Sequence, residues 1–187
     1  MSTEEPKFTL SLKDGAFELR DYPAMIVAEV TVSGDQREAS STGFRKLAGY
    51  IFGGNTGSRR IAMTSPVTKV QTGQKIAMTA PVTQIGEKGM WNVRFTMPAA
   101  MALADLPQPN DPSVTLKALP AARFAVARFS GLAGEASVAD ETAKLLAFVA
   151  KRQLKPAGPV TQARYNPPWT LWFMRRNEVM VSVDARI

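Results

Sequence analysis

The sequence predicts an α+β fold built from two similar halves, and three observations support this prediction. First, residues 61–67 read IAMTSPV and residues 76–82 read IAMTAPV, so one short segment occurs twice. Second, residues 17–34 and 114–131 align at a constant offset of 97 positions. Third, a helical pattern of apolar residues follows each copy of the longer repeat. Strands, one helix and further strands in each half favour two helices packed on antiparallel sheets.

Each copy of the longer repeat predicts two strands separated by a proline. Leu19 aligns with Leu116 in the first strand, Pro23 aligns with Pro120, and both second strands end in Ser-Gly. Proline carries no backbone N–H and biases the residue before it toward extended geometry. A break between two strands is therefore expected at both prolines.

Two amphipathic helices are predicted because apolar residues recur at the i, i+3, i+4, i+7 spacing. These residues are Phe44, Leu47, Ala48 and Ile51 in the first helix, and Thr142, Leu145, Leu146 and Val149 in the second. Gly53-Gly54 is expected to end the first helix, and Lys155-Pro156 with Gly158 the second.

The short repeat predicts two further strands. Pro66 and Pro81 exclude both copies from the interior of a long helix. Thr72-Gly73-Gln74 lies between the copies as a turn candidate. We therefore expect a hairpin that places Met63 and Met78 at equivalent positions.

The domain organisation predicted from these repeats is one domain over residues 7–187. It consists of two pseudo-symmetric halves, residues 7–97 and 113–184, joined by a Pro-rich connection over 98–112. Within the halves, residues 91–97 align with 177–183. A duplication of this kind predicts a pseudo-twofold, and the seam between the halves is where we expect an apolar ligand slot guarded by basic side chains. The alternative is that the seam is a packed core.

Composition excludes several classes of site. The chain of 187 residues has neither His nor Cys, so disulfides, iron–sulfur clusters, Ser-His dyads and a histidine ligand to haem iron are all excluded. We expect neither a catalytic residue nor a metal site. Lys and Arg outnumber Asp and Glu by 23 to 16, which favours an anionic partner. The basic residues form no long run, so nucleic acid is not expected as a partner.

No apolar run approaches the length that crosses a bilayer, so we expect no insertion into a membrane. The short acidic N-terminus lacks the pattern of a signal peptide, and a cytoplasmic monomer is expected. A periplasmic location stays open, because a trimmed leader would leave the same sequence.

Five sequence features together resemble the SOUL haem-binding protein family over about residues 7–184. They are the repeated IAMT-x-PV box, Phe95-Thr96-Met97-Pro98, Leu106-Pro107 with Asp111 and Val114, Arg128-Phe129-Ser130-Gly131, and YNPPWT at 165–170 followed by MRRNEV at 174–179. The resemblance implies a duplicated, distorted barrel like that of bacterial effector-binding domains, with two helices packed on antiparallel sheets.

The resemblance also implies haem or another tetrapyrrole as the ligand, held in an apolar groove beside the first helix. Mapped onto this chain, the groove contains residues 44–51, with Phe44, Leu47 and Ile51, the loop 53–60 and Met63. Some members of the family have been described with a histidine axial ligand, and this sequence departs from them because it has none.

A tetrapyrrole site needs an apolar slot and basic groups for its propionates. Arg60 directly precedes the first IAMT box and is a propionate candidate, although a solvated arginine on a flexible loop is the alternative. Met63 and Met78 offer soft sulfur atoms, although a methionine in a strand more often fills a core.

The second half contributes Tyr165, Trp169 and Arg175 as candidate ligand contacts. Trp172 stands where related sequences commonly carry proline, and it either extends an apolar wall beside Trp169 or fills space. For Arg175 and its neighbour Arg176, a local ion pair with Glu178 is the alternative to ligand contact.

The function predicted from these features is binding of a planar apolar carboxylate, a tetrapyrrole, without a histidine axial ligand. A first alternative is a hydrolase-like enzyme for a small hydrophobic substrate, with Glu135, Asp140 or Glu141 acting beside Tyr165. An exposed Glu135 would count against that alternative. A second alternative is a module that senses a small-molecule effector.

Overall fold

A computed structural model describes residues 4–56, 74–76, 80–87, 89–166 and 170–184. The helices and strands of each half follow one another in similar order. They are β1 (Thr9–Asp14), β2 (Phe17–Tyr22), β3 (Met25–Ser33), α1 (Gln36–Ile51), β4 (Asn55–Thr56), β5 (Val82–Glu87), β6 (Met90–Thr96), β7 (Gln108–Pro109), β8 (Val114–Leu119), β9 (Ala122–Ser130), α2 (Glu135–Lys151), β10 (Thr161–Arg164) and β11 (Arg176–Val183). Two 3₁₀ helices cover Leu103–Asp105 and Trp172–Met174.

Nine of the strands form one antiparallel sheet in the order β1-β2-β9-β11-β10-β5-β6-β3-β8. The helices pack on this sheet, α1 against β3 and β6, and α2 against β9 and β11. The predicted α+β class with two helices on antiparallel strands is therefore confirmed. Within the described ranges, β1 and β8 are the edges of the sheet, so the barrel is open and not closed.

From β2 to β8, the strand order reads the same from both ends when each strand is exchanged for its counterpart in the other half, and β1 is an additional strand beside β2. Residues 17–22 and 25–33 become 114–119 and 122–130 at the offset of 97, which are the bounds of four strands. The first strand of each copy of the longer repeat is exchanged, because β2 pairs with β9 while β8 pairs with β3. The two halves are thus interlocked, and the boundaries proposed for them stay a prediction.

The centre of this symmetry lies where β5 meets β10. Gln84 stands opposite Gln162 in that pairing, and both side chains are buried. The sequence PVTQ occurs at 81–84 and again at 159–162, a repeat that the sequence analysis missed. The same four residues therefore enter the centre of the sheet from each half.

Asp35 caps the N-terminus of α1, and its carboxylate accepts the backbone N–H of Glu38 at 2.7 Å. Such a cap satisfies a donor that the first helical turn leaves free. Gly43 lets α1 approach β6 closely, since a Cβ there would lie 2.5 Å from Cγ2 of Val93. Leu47 and Ile51 fill the core between α1 and the sheet.

The helix α2 covers a second core on β9 and β11. Leu145 and Val149 are buried in this core, as the helical pattern predicts, and Phe148 joins them. The ring of Phe148 stacks on that of Phe17, with centroids 4.8 Å apart. Each helix therefore covers its own apolar core, and both halves contribute residues to each core.

The predicted hairpin of the short repeat falls largely on residues 57–73 and 77–79, which lie outside the described residues. Of its second copy, Ile76 is buried and its backbone N–H donates to the carbonyl of Ile51 at 2.8 Å. Val82 begins β5, which pairs with β6 and β10.

Candidate functional site

Of the residues predicted on α1, two lie in the core and one lies at the surface. Leu47 and Ile51 are fully buried, so neither contacts a ligand in this conformation. Phe44 remains 39% exposed, and its ring meets that of Phe95 edge to face at 5.4 Å. Only Phe44 of these three offers an apolar surface to a bound molecule.

One helical turn before Phe44, Ser40 contacts an arginine that the sequence analysis did not select. Arg164 ends β10, and its Nη1 donates to the Ser40 hydroxyl at 3.3 Å. Its Nη2 donates to the carbonyl of Ala133, just before α2, at 3.2 Å. Residues four apart share one face of a helix, so Ser40 and Phe44 lie on the same side of α1. Arg164 thus joins the two halves beside the first turns of both helices.

The charge of Arg164 is poorly compensated. Burial lowers the pKa of its guanidinium, and repulsion from the nearby Arg175 lowers it further. Across the part of the chain that the structure describes, no Asp or Glu forms an ion pair with Arg164. A partly buried cation of this kind is stabilised when an anion binds beside it.

Arg175 and Arg176 are adjacent in sequence but have different surroundings. Arg175 donates from Nε to the carbonyl of Thr170 at 2.8 Å and lies near Arg164. Arg176 forms the ion pair with Glu178 that we considered for this dipeptide, at 3.1 Å, and a second pair with Glu5 at 2.9 Å. We call Ser40, Phe44, Arg164 and Arg175 the seam surface.

Glutamines line the seam beneath this surface. The side-chain amides of Gln36 and Gln162 are 2.7 Å apart, and Gln84 donates from Nε2 to the carbonyl of Gln36 at 3.0 Å. The Oε1 atom of Gln84 is buried without a hydrogen-bond partner. At this point the seam is polar, where we expected an apolar slot, because the glutamines at the centre of the symmetry point toward the helices.

A second cluster lies on the sheet face that points away from α2. Arg20 binds Glu178 through two hydrogen bonds of 2.8 and 2.9 Å, and its Nε donates to Glu18 at 2.7 Å. Tyr165, a predicted ligand contact, donates its hydroxyl to Glu178 at 2.7 Å. Arg20 and Glu178 are both fully buried. We call Glu18, Arg20, Tyr165 and Glu178 the buried ion cluster.

The carboxylates of the buried ion cluster are paired with cations of the protein. Burial alone would raise the pKa of Glu178, but the hydrogen bonds and charge of Arg20 outweigh it and hold the pKa below its usual value. Burial and the neighbouring carboxylate raise the pKa of Tyr165. Glu178 is therefore ionised and Tyr165 neutral at pH 7. Arg128 lies 3.7 Å from each of the two carboxylates, and Arg176 pairs with Glu178, so the second negative charge is also met within the protein.

Lys117 occupies the position that the repeat aligns with Arg20, and it too binds a carboxylate. Its partner is Glu29, which also pairs with Arg94. Burial opposes ionisation of Glu29, yet the two cations keep its pKa below the usual value. The basic residue thus has the same role in both halves, although its carboxylate comes from β3 in one half and β11 in the other.

Two surface depressions lie away from the seam surface. One of about 450 Å³ lies between Phe17 and the end of α2, next to Lys144 and Lys151. Another of about 390 Å³ lies between Phe8 and Tyr22. None of the residues predicted as ligand contacts lines either depression.

Of the carboxylates considered for catalysis, Glu135 and Asp140 are exposed and Glu141 is partly buried. Glu135 is exposed at the start of α2, which counts against the enzyme alternative. Asp140 and Glu141 both pair with Lys144. Four further predicted contacts, Arg60, Met63, Met78 and Trp169, lie outside the described residues.

The sequence and the fold both have known relatives. The family described as SOUL heme-binding protein matches residues 3–182. Heme-binding protein 2 of Mus musculus is 46% identical over 55 residues, which is 29% of this chain and 27% of that protein. The aligned segment therefore spans about a quarter of this relative.

Solved structures with the same fold have low sequence identity. The C-terminal domain of EcmrR superposes with a TM-score of 0.61 at 12% identity, covering 90% of this chain and 96% of that one. A hydrolase from Listeria innocua superposes with a TM-score of 0.60 at 10% identity, covering 93% and 94%. These likenesses establish the fold. Within the described ranges, no helix is both long and apolar enough to span a bilayer.

Proposed function

Because the chain belongs to the SOUL haem-binding protein family, we propose that it binds a tetrapyrrole, with the propionates at Arg164 and Arg175 of the seam surface. The family relationship supports tetrapyrrole binding in general. The observation that supports this location is the partly buried guanidinium of Arg164, which has no acidic partner among the described residues and lies near a second arginine. A ligand carboxylate beside Arg164 would supply the negative charge that this guanidinium lacks among the described residues.

Phe44 supplies the apolar side of the proposed site. It lies one turn beyond Ser40, the helical residue to which Arg164 donates, and its ring is held by Phe95. A flat aromatic macrocycle gains most when such a ring and the guanidinium plane both face it. In this proposal Leu47 and Ile51, predicted as contacts, support Phe44 from the core instead of touching the ligand.

The proposed binding does not depend on iron. The chain has no histidine, and the seam surface offers an aromatic ring and guanidinium groups. Haem and metal-free protoporphyrin should therefore bind with similar affinity. We test this by titrating the protein with each compound while following Soret absorbance and tryptophan fluorescence; saturable binding of neither would refute the proposal.

Arg164→Gln tests the location of the site. Loss of one charge-assisted contact should weaken protoporphyrin binding roughly tenfold, equivalent to about 1.4 kcal/mol. Arg152→Gln is the matched control, because Arg152 pairs with Asp14 just beyond the other end of α2, which is roughly 25 Å long. If both variants bind as tightly as the wild type, Arg164 is not at the site.

A further inference from the structure

Four consecutive apolar side chains lie open to solvent before Arg175. Their exposed fractions all exceed one half, at 58% for Leu171, 59% for Trp172, 56% for Phe173 and 63% for Met174. We call them the apolar tetrad. A folded protein scatters single exposed apolar residues over its surface, but it seldom exposes four in a row, so the tetrad indicates an interaction surface.

The local backbone explains why the tetrad does not turn inward. Trp172–Met174 forms one turn of 3₁₀ helix, closed by a hydrogen bond from the N–H of Met174 to the carbonyl of Leu171. The rings of Trp172 and Phe173 meet edge to face at 5.6 Å. The two largest side chains thus pack on each other, and neither belongs to a core cluster formed by the described residues.

The net charge of the protein is concentrated in the segment that contains the tetrad. Residues 142–177 contain seven Lys and Arg and no Asp or Glu, which leaves 16 basic and 16 acidic residues in the rest of the chain. Arg175 directly follows the tetrad and Arg164 lies close to Arg175, whereas Arg176 is paired with Glu5 and Glu178. Two arginines therefore lie beside the apolar surface.

We propose that the tetrad is a peripheral docking surface for an anionic lipid bilayer. Tryptophan favours the boundary between headgroups and acyl chains, and the neighbouring apolar side chains gain when they leave water there. Arginines beside them attract the phosphates of anionic lipids and hold the protein at the surface. This inference goes beyond ligand binding and requires no ligand.

Charge also distinguishes a bilayer from a second copy of the chain. A symmetric dimer formed through the tetrad would bring Arg175 of one protomer toward Arg175 of its partner, and these like charges would repel. An anionic bilayer presents the opposite charge to the same residues. The combination of exposed aromatic rings and flanking arginines therefore fits a lipid surface better.

The test is co-sedimentation of ligand-free protein with two kinds of vesicle, phosphatidylcholine alone and an equal mixture with phosphatidylglycerol. We expect the partition coefficient to be at least roughly tenfold higher for the mixed vesicles and to fall as salt is added. The emission of Trp172 should shift to shorter wavelength on binding. Equal partitioning to both vesicles, or to neither, would overturn the proposal.

The variant Trp172→Ser with Phe173→Ser should lose at least roughly tenfold in partitioning to the mixed vesicles, since two large apolar groups no longer insert. Met90→Ser is the matched control, because Met90 is 55% exposed at the start of β6. Equal losses in both variants, or none in the double variant, would contradict docking through the tetrad.

Two further measurements separate the other possible occupants. A dimer seen by sedimentation velocity, dissociated by the double substitution, with no vesicle binding, would assign the tetrad to a second copy and overturn the proposal. Protoporphyrin binding lost in the double variant, while wild-type protein ignores vesicles, would make the tetrad a ligand wall. That result would overturn lipid docking and leave the proposed function standing.

Discussion

Arg20 on β2 is fully buried and Arg164 on β10 is partly buried, and these two arginines have opposite surroundings. Arg20 is enclosed by Glu178, Glu18 and Tyr22, and each of its nitrogens has a partner in the protein. Among the residues that the structure describes, Arg164 donates to neutral oxygens and lies near another cation. Burial alone therefore does not mark a binding residue. A buried charge that is already paired stabilises the fold, and one without a counter-charge is available to a ligand.

The largest expected effect of this difference is on stability. Arg20→Met leaves Glu178 and Glu18 buried with too little positive charge, which should cost about 3–5 kcal/mol in the free energy of unfolding. Urea denaturation of the variant measures this change in the free energy of unfolding. Arg164→Met should change the free energy of unfolding by less than about 1 kcal/mol, since the charge that it removes is desolvated and repelled. Equal losses in the two variants would abolish the distinction between these arginines.

Removing both partners sharpens the same comparison. Arg20→Met combined with Glu178→Leu should recover part of the stability lost in Arg20→Met alone, because no unpaired carboxylate then remains at position 178. The measurement is again urea denaturation, with coupling between the two substitutions read from the double-mutant cycle. Strictly additive losses would show that Arg20 and Glu178 do not act as a pair.

A smaller effect on stability is expected where α1 packs against β6. Gly43→Ala places a methyl group against Val93 and should destabilise the protein by about 1–3 kcal/mol. It should also weaken protoporphyrin binding, since α1 presents Ser40 and Phe44. Gly49→Ala is the control on the same helix, because the added Cβ meets no atom within 4 Å. The free energy of unfolding of this variant should be unchanged or higher by up to about 1 kcal/mol. A Gly43→Ala protein of wild-type stability would contradict this packing.

Carboxyl groups with a lowered pKa should make stability fall in acid, and Glu178 of the buried ion cluster is one of them, with Asp21, Glu29 and Asp111. The pKa of Glu178 is below its usual 4.5 in the fold. A carboxyl with a lowered pKa stabilises the protein above its unfolded pKa and loses that stabilisation as the pH falls through the folded value. Thermal unfolding from pH 7 to about pH 3 should therefore show a steeper loss for wild type than for the Arg20→Met, Glu178→Leu double variant. Parallel curves would rule out Glu178 as a source of the pH dependence of stability.

Local patterns in the sequence predict most of the fold. The prolines at 23 and 120 separate strands whose bounds agree at the offset of 97, and the apolar stripes place both helices. The alignment of 91–97 with 177–183 falls on β6 and β11. These features follow from short-range geometry, which the order of residues determines directly. The division into halves at 7–97 and 113–184 stays a prediction.

The candidate site was harder to predict, because it depends on contacts between distant segments. Arg20 and Glu178 are 158 positions apart, and Arg164 and Ser40 are 124 apart. Side chains alternate along β2, with Phe17 and Leu19 on one face and Glu18 and Arg20 on the other. This alternation could have predicted a polar face inside the protein. The second PVTQ segment was another, since it leads directly to Arg164. Which carboxylate reaches which arginine depends on the strand order.

The most direct test of the central claim, that Arg164 receives a carboxylate of the ligand, is a comparison of protoporphyrin with its dimethyl ester. The ester keeps the flat macrocycle but loses both negative charges. We measure the ratio of the two affinities in wild type, Arg164→Gln and Arg152→Gln. Wild type and Arg152→Gln should prefer the free acid, and Arg164→Gln should lose roughly tenfold of that preference. An identical preference in all three proteins would contradict the claim.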